Sequence, residues 1–177
     1  MPDNLDLGPD AQINHVVAGL RGEGTGGAVE NMARPGPGCF LSIDPEAGIE
    51  GEYRTGGGAM LDLSYRALTP PRWIALHLDM GAASFAGRAV AGIVLRASAP
   101  SALVLRACLR SGDGGDFADC FFGKHVAAHA APSTHVDLLR LEDHAARIPE
   151  TCATREHVLF LPPRDTRVVL QDLRVFV

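Results

Sequence analysis

Lysine is almost missing from this chain. Lys124 is the only one, and the other cationic charge is carried by fifteen scattered arginines. The formal net charge is -5, and no Lys/Arg block or stripe forms. That excludes the electrostatic footprint of a nucleic-acid binder and of a protein drawn to an anionic membrane surface. Long apolar runs are missing too: none approaches the roughly 18–20 residues of a membrane helix. The opening residues Met1-Pro2-Asp3-Asn4-Leu5-Asp6 are acidic and polar, without the basic start and apolar run of a secretory signal. The expected location is therefore cytoplasmic.

Cysteine spacing is also uninformative for metals. Cys39, Cys108, Cys120 and Cys152 contain no C-x-x-C pair, which removes the zinc-knuckle and redox readings. Their apolar neighbours suit free thiols acting as small hydrophobes. Catalytic signatures are absent: no Gly-x-Ser-x-Gly elbow, no P-loop, and no Gly-x-Gly-x-x-Gly turn after a strand. Aromatic residues make up 6% of the chain, with Trp73 the single tryptophan and Tyr53 and Tyr65 the only tyrosines. Repeated helical segments of ten residues or more, which a parallel α/β sheet requires, are not found.

What is present is glycine and proline at short intervals, with period-two apolar alternation between them. Arg21–Gly27, Pro35–Gly38, Thr55–Gly58, Thr69–Pro71, Ser111–Asp116 and Leu161–Asp165 read as loops. The clearest alternation is in 72–79, 91–97 and 101–110. Ile74, Leu76 and Leu78 oppose Trp73, His77 and Asp79, and Leu103, Leu105, Ala107 and Leu109 oppose Val104, Arg106, Cys108 and Arg110. Further strands are expected at 13–19, 39–43, 59–65, 117–122, 134–141, 156–161 and 167–177. One or two helical turns fit 142–147, and 124–131 fits strand or loop. About ten short strands in one chain of 177 residues predict an all-β, two-sheet antiparallel sandwich.

The last third of the chain resembles carbohydrate-binding-module-like, or galactose-binding-like, jelly rolls. The resemblance rests on Val158-Leu159-Phe160-Leu161-Pro162-Pro163 and on Val168-Val169-Leu170-Gln171-Asp172-Leu173-Arg174-Val175-Phe176-Val177. Trp73–Asp79 resembles the group's central strand, and Phe117–Phe122 falls where another strand is expected. It implies a jelly-roll domain over 38–177; residues 1–37 are expected as an N-terminal arm with room for a first strand and a Gly-rich loop. It also implies a structural calcium between the N-terminal region and the final strand, and glycan binding on a sheet face or on edge loops. Shared fold alone does not carry function across.

Two sets of residues are candidates for chemistry. If 72–79, 91–97 and 101–110 share a sheet, then Trp73, His77, Arg96, Arg106 and Arg110 face one side. An indole can stack on a sugar's C–H face, and guanidinium forks pair with hydroxyls or a sugar carboxylate. The plainer reading of such a face is a solvated sheet with arginine stems covering apolar surface. Asp172, inside a strand-like run, is the candidate calcium ligand, with backbone carbonyls and Glu23, Glu30 or Asp44 adding oxygens; the plainer reading pairs it with Arg174. His125, His129 and His135 fall within eleven residues, but no His-Glu-x-x-His order or adjacent carboxylate supports a metal site. The sequence thus points to a non-catalytic domain binding carbohydrate or a related small polar ligand. The alternatives are an assembly module for a cell-surface polymer enzyme, with self-association as a homodimer, and a metal-dependent enzyme using the three histidines.

Overall fold

The computed structural model describes residues 8–22 and 24–177. A helix, α1 (Ala11–Leu20), precedes the strands β1 (Gly26–Ala28), β2 (Cys39–Ile43), β3 (Ile49–Gly56) and β4 (Ala59–Ala67). Then follow β5 (Ile74–Asp79), β6 (Val90–Ser98), β7 (Leu103–Asp113), β8 (Asp116–Phe121) and β9 (Val126–Ala128). The chain ends with β10 (Ser133–Arg140), a 3-10 turn at Leu141–His144, β11 (Thr154–Phe160) and β12 (Thr166–Phe176).

The strands form two antiparallel sheets. The first runs β1-β3-β4-β12-β6-β10; the second runs β2-β5-β11-β7-β8, with β9 pairing the start of β7. From β2 onward the chain repeatedly crosses between sheets, so that β5, β7 and β11 lie in one and β6, β10 and β12 in the other. This is the two-sheet sandwich expected from the alternation, with the jelly-roll topology that the resemblance implies.

Alternation also builds the core. Leu41, Ile74, Leu76, Leu78, Leu105, Leu109 and Leu159 project from the second sheet. Leu61, Leu63, Ile93, Leu95, Leu170 and Leu173 project from the first, and all are buried in one continuous cluster. Each such side chain stabilises the fold by roughly 1.5–3 kcal/mol. The β3–β4 and β7–β8 hairpins turn where the sequence places glycines. Gly57 (φ 63°), Gly58 (φ 90°), Gly114 (φ 61°) and Gly115 (φ 104°) occupy backbone conformations that a side chain would strain.

Three elements differ from the sequence expectation. Segment 13–19, expected as a strand, lies in α1, because Ile13, Val17 and Leu20 sit at helical spacing and all three are buried. They belong to the core cluster, together with Val29, so part of the expected N-terminal arm packs against the sandwich. The short strands β1 and β3 were not foreseen; β3 carries Glu50, Glu52 and Arg54 on its exposed positions and Gly51 between them, which masks its alternation. Of the expected turns at 142–147, a four-residue 3-10 segment forms.

Candidate functional site

The outer face of the second sheet is set by register. One rung across it reads Phe40, His77, Val158, Cys108 and Phe121. The next, toward one end, reads Ser42, Ala75, Phe160 and Arg106. Toward the other end come Asp79, Glu156, Arg110 and Asp119, and then Thr154, Gly112 and Phe117. Successive strand residues point to opposite faces, so the residues of these rungs share the face turned away from the core.

The centre of this face is apolar. Ala75, Cys108 and Val158 are buried there, with Phe121 and Phe160 packed against them. The two phenyl rings are tilted with centroids 5.7 Å apart, in the range of favourable aromatic pairs. Burial pushes the Cys108 thiol far up from its ordinary value, so it stays protonated and contributes no nucleophile at neutral pH. All four cysteines are free.

Polar pairs border that floor. His77 is 4% exposed; its ring stacks on Phe40 at 4.6 Å, and its Nδ1 donates to Glu156 Oε2 at 2.7 Å. Arg110 donates through Nε and Nη2 to both oxygens of Asp119, at 2.7 and 2.8 Å. These bonds raise the Arg110 pKa further. Trp73, just ahead of β5, donates from Nε1 to Ser42 Oγ at 3.2 Å, which ties the indole to the rim.

Three arginines lie over aromatic rings around this face. Arg72 is 5.2 Å from the Trp73 centroid, Arg106 is 4.2 Å from Phe121, and Arg110 is 3.9 Å from Phe117. Arg72 is also clamped on Asp44 by two side-chain bonds of 2.8 and 2.9 Å. Those hydrogen bonds hold the Asp44 carboxyl well below the usual carboxylate range.

Four of the five residues proposed from sequence for a shared face therefore come together: Trp73, His77, Arg106 and Arg110. Arg96 does not. It lies on β6, in the first sheet, as the register partner of Thr134 and Asp172. Period-two alternation assigns a residue to a face of its strand; it does not say which sheet the strand joins, and a jelly roll sends β5, β6 and β7 to alternating sheets. The sequence reading also passed over Phe40, Phe117, Phe121 and Phe160, four of the chain's seven phenylalanines, and the carboxylates Asp119 and Glu156. The signal was present: Phe117, Asp119 and Phe121 alternate with the core residue Cys120, and Phe40 alternates with Cys39 and Leu41.

Asp172 sits between two guanidinium groups, with Arg21 Nη1 at 3.1 Å and Arg174 Nε at 3.4 Å. Its Oδ1 also accepts the Leu173 N–H at 3.0 Å. A calcium ion needs six to eight oxygen ligands, whereas this carboxylate is surrounded by donors and positive charge, so the residues around it do not fit the ion. Glu30 is exposed and Asp44 is held by Arg72; Glu23 lies outside the described residues. His125 and His129 flank β9 as exposed loop residues, and His135 is on β10. Among the described residues no group of three or more His, Cys, Asp or Glu side chains is placed to hold a metal. No helix among them is long and apolar enough to cross a membrane.

No protein-family model matches the chain, and no curated protein matches it in sequence. Solved structures do match it in fold. The xylan-binding domain CBM22-1 of Paenibacillus barcinonensis Xyn10C superposes with a TM-score of 0.50 at 10% identity, over 87% of this chain and 94% of that one. A CBM4 structure gives a TM-score of 0.55 at 12% identity, over 77% and 85%. A family 11 module from Clostridium thermocellum, solved with a β-1,3-1,4-mixed-linked tetrasaccharide, gives 0.53 at 7% identity, over 86% and 95%. The chain has the jelly-roll sandwich fold of carbohydrate-binding modules.

Proposed function

We propose that this chain is a non-catalytic carbohydrate-binding domain and that its binding surface is the outer face of the second sheet. The observation that carries this reading is the clustering of Trp73, Phe40, Phe117, Phe121 and Phe160 on that one face. Elsewhere in the sandwich, large aromatic side chains such as Phe85 and Phe122 are buried in the core. Rings supply flat apolar surface for the C–H faces of sugars, and the bordering His77–Glu156 and Arg110–Asp119 pairs supply donors and acceptors for hydroxyls. A few fixed polar groups beside apolar surface are what small polar ligands require for orientation. The carbohydrate-binding modules of like fold support the same reading.

Trp73 makes the test direct, because the only indole of the chain lies on the face in question. Titration with xylan and mixed-linkage β-glucan oligosaccharides should change its fluorescence saturably, with calorimetry giving the same affinity. Phe121→Ala should weaken binding about tenfold or more, equivalent to ~1.4 kcal/mol, with the circular dichroism spectrum retained. Arg96→Ala, on the other sheet, should leave binding unchanged. A broad glycan panel without one ligand at millimolar concentration would overturn the reading.

A further inference from the structure

The charged groups on the proposed face are not evenly spread. Asp79, Glu156, Asp119, Asp113 and Asp116 lie toward the Phe117 end of the second sheet, whereas the carboxylates at the other end, Asp44 and Glu46, are both paired with Arg72. At the opposite end, β7 continues outward from Arg106 to Val104, which is 54% exposed and pairs with Ala127 of β9. Here the face opens into a groove of about 550 Å³ lined by Val104, Ala127, His129, Pro162, Pro163 and Arg164, among others. No carboxylate lines it, although the chain as a whole carries a net charge of -5.

Two arginines at this end, Arg106 and Arg164, differ from Arg72, which lies at the same end beside Trp73, and from Arg110 at the other. Arg72 and Arg110 are each locked bidentately on an aspartate. Arg106 and Arg164 are exposed and have no carboxylate within ion-pair distance among the described residues. The Arg106 guanidinium carbon lies 4.2 Å from the Phe121 ring centroid, a cation–π contact that helps to order the group. An ordered, unpaired fork beside an apolar floor matches a sugar ring that bears a carboxylate: the fork takes the two oxygens and the floor takes the ring.

We propose that the Arg106 end of the face and its adjoining groove select acidic polysaccharides, those whose sugars are uronic acids. This rests on the reading of the outer face as a carbohydrate site and names the ligand class of that same site. Binding of an anion here gains from charge–charge attraction at a surface that salt screens.

The experiment compares matched polymers: polygalacturonate, alginate and glucuronoxylan, each beside its own carboxyl-reduced, neutral form. Affinity electrophoresis and Trp73 fluorescence read the binding at about 20 mM and about 500 mM salt, where screening differs strongly. At least one acidic polymer should bind about tenfold or more tightly than its reduced partner at low salt, with the advantage shrinking at high salt. The Arg106→Gln, Arg164→Gln double variant should bring that ratio to within about threefold. Both side chains are exposed, so the fold should persist, which circular dichroism checks. Equal binding of every acidic and reduced pair would overturn the selection for uronic acids while leaving the carbohydrate reading in place. A preference that survives in the double variant would overturn the role of this groove. Absence of binding by every acidic and neutral polymer would overturn the carbohydrate reading, and this inference with it.

Discussion

At the scale of single residues, the strongest constraints lie in the core of the second sheet, where polar groups are enclosed. Arg155, 0% exposed, donates to Ala83 O, Ser111 Oγ and Pro149 O, and its guanidinium lies 3.9 Å from the Phe85 ring centroid. All these partners are neutral. Two residues along, His157 is 1% exposed and stacks on Phe122 at 5.9 Å, with neither ring nitrogen hydrogen-bonded. Burial, with the Arg155 charge nearby, pulls the His157 pKa from the ordinary 6.5 down to about 3. Between those values the unfolded chain binds a proton that the folded chain refuses, so stability is full above about pH 6.5 and falls as pH drops. The slope for one such group approaches ~1.4 kcal/mol per pH unit. Urea melts at pH 7.5, 6 and 5 should show this loss, and His157→Leu should flatten it. Equal slopes for the two proteins would mean that His157 charges inside the fold. Neither residue was legible in advance: Arg155 and His157 alternate with Glu156 in a run that reads as a polar strand end, and only tertiary packing turns them inward.

At the scale of elements, α1 does what a strand would otherwise do. β4 pairs β12 only as far as Leu61 opposite Leu170, so the far half of β12 lacks a neighbour on that side. Asn14 fills part of the gap: its Nδ2 donates to Val175 O at 2.7 Å, and its Oδ1 accepts the Val175 N–H at 3.0 Å. Arg174 Nη1 adds a bond to Asn14 O at 3.1 Å. Asn14→Leu would leave both Val175 backbone groups without these partners, at roughly 1–3 kcal/mol for each buried group left unpaired. The expected result is a lower denaturation midpoint with an unchanged slope, and faster hydrogen exchange at Val175; an unchanged midpoint would show that water replaces Asn14 freely. Most strands were legible because one face of each is core, which writes a period of two into the sequence. The helix was misread because Ile13, Val16 and Val17 also suit a strand, and the deciding residue, Leu20, lies just past the segment. Sheet membership was illegible for a different reason: it depends on pairing partners far away in sequence, and Arg96 was misplaced on that account.

At the scale of the whole molecule, the question is whether any part can let go alone. The buried cluster is continuous from Ile13 in α1 to Val175 in β12 and takes side chains from both sheets. Arg155 ties β11 and β7 to the segments around Ala83 and Pro149. Tyr65, from the first sheet, donates to Pro162 O at 2.6 Å in the connection leaving the second. A fold bound across its layers in this way should lose both sheets in one transition. Far-ultraviolet circular dichroism, which follows all strands, and Trp73 fluorescence, which follows the rim of the second sheet, should then give coincident curves. The same measurement examines calcium. Asp172 is paired with Arg174 on its own strand and with Arg21, and the Arg21 contact ties the segment after α1 to the last strand. EDTA or added calcium should therefore move the midpoint by no more than about 1 °C, far less than the several degrees that a well-bound ligand produces at this chain length. A calcium-dependent rise would mean that oxygen ligands other than Asp172 gather around an ion, and split curves would mean that the two sheets unfold separately.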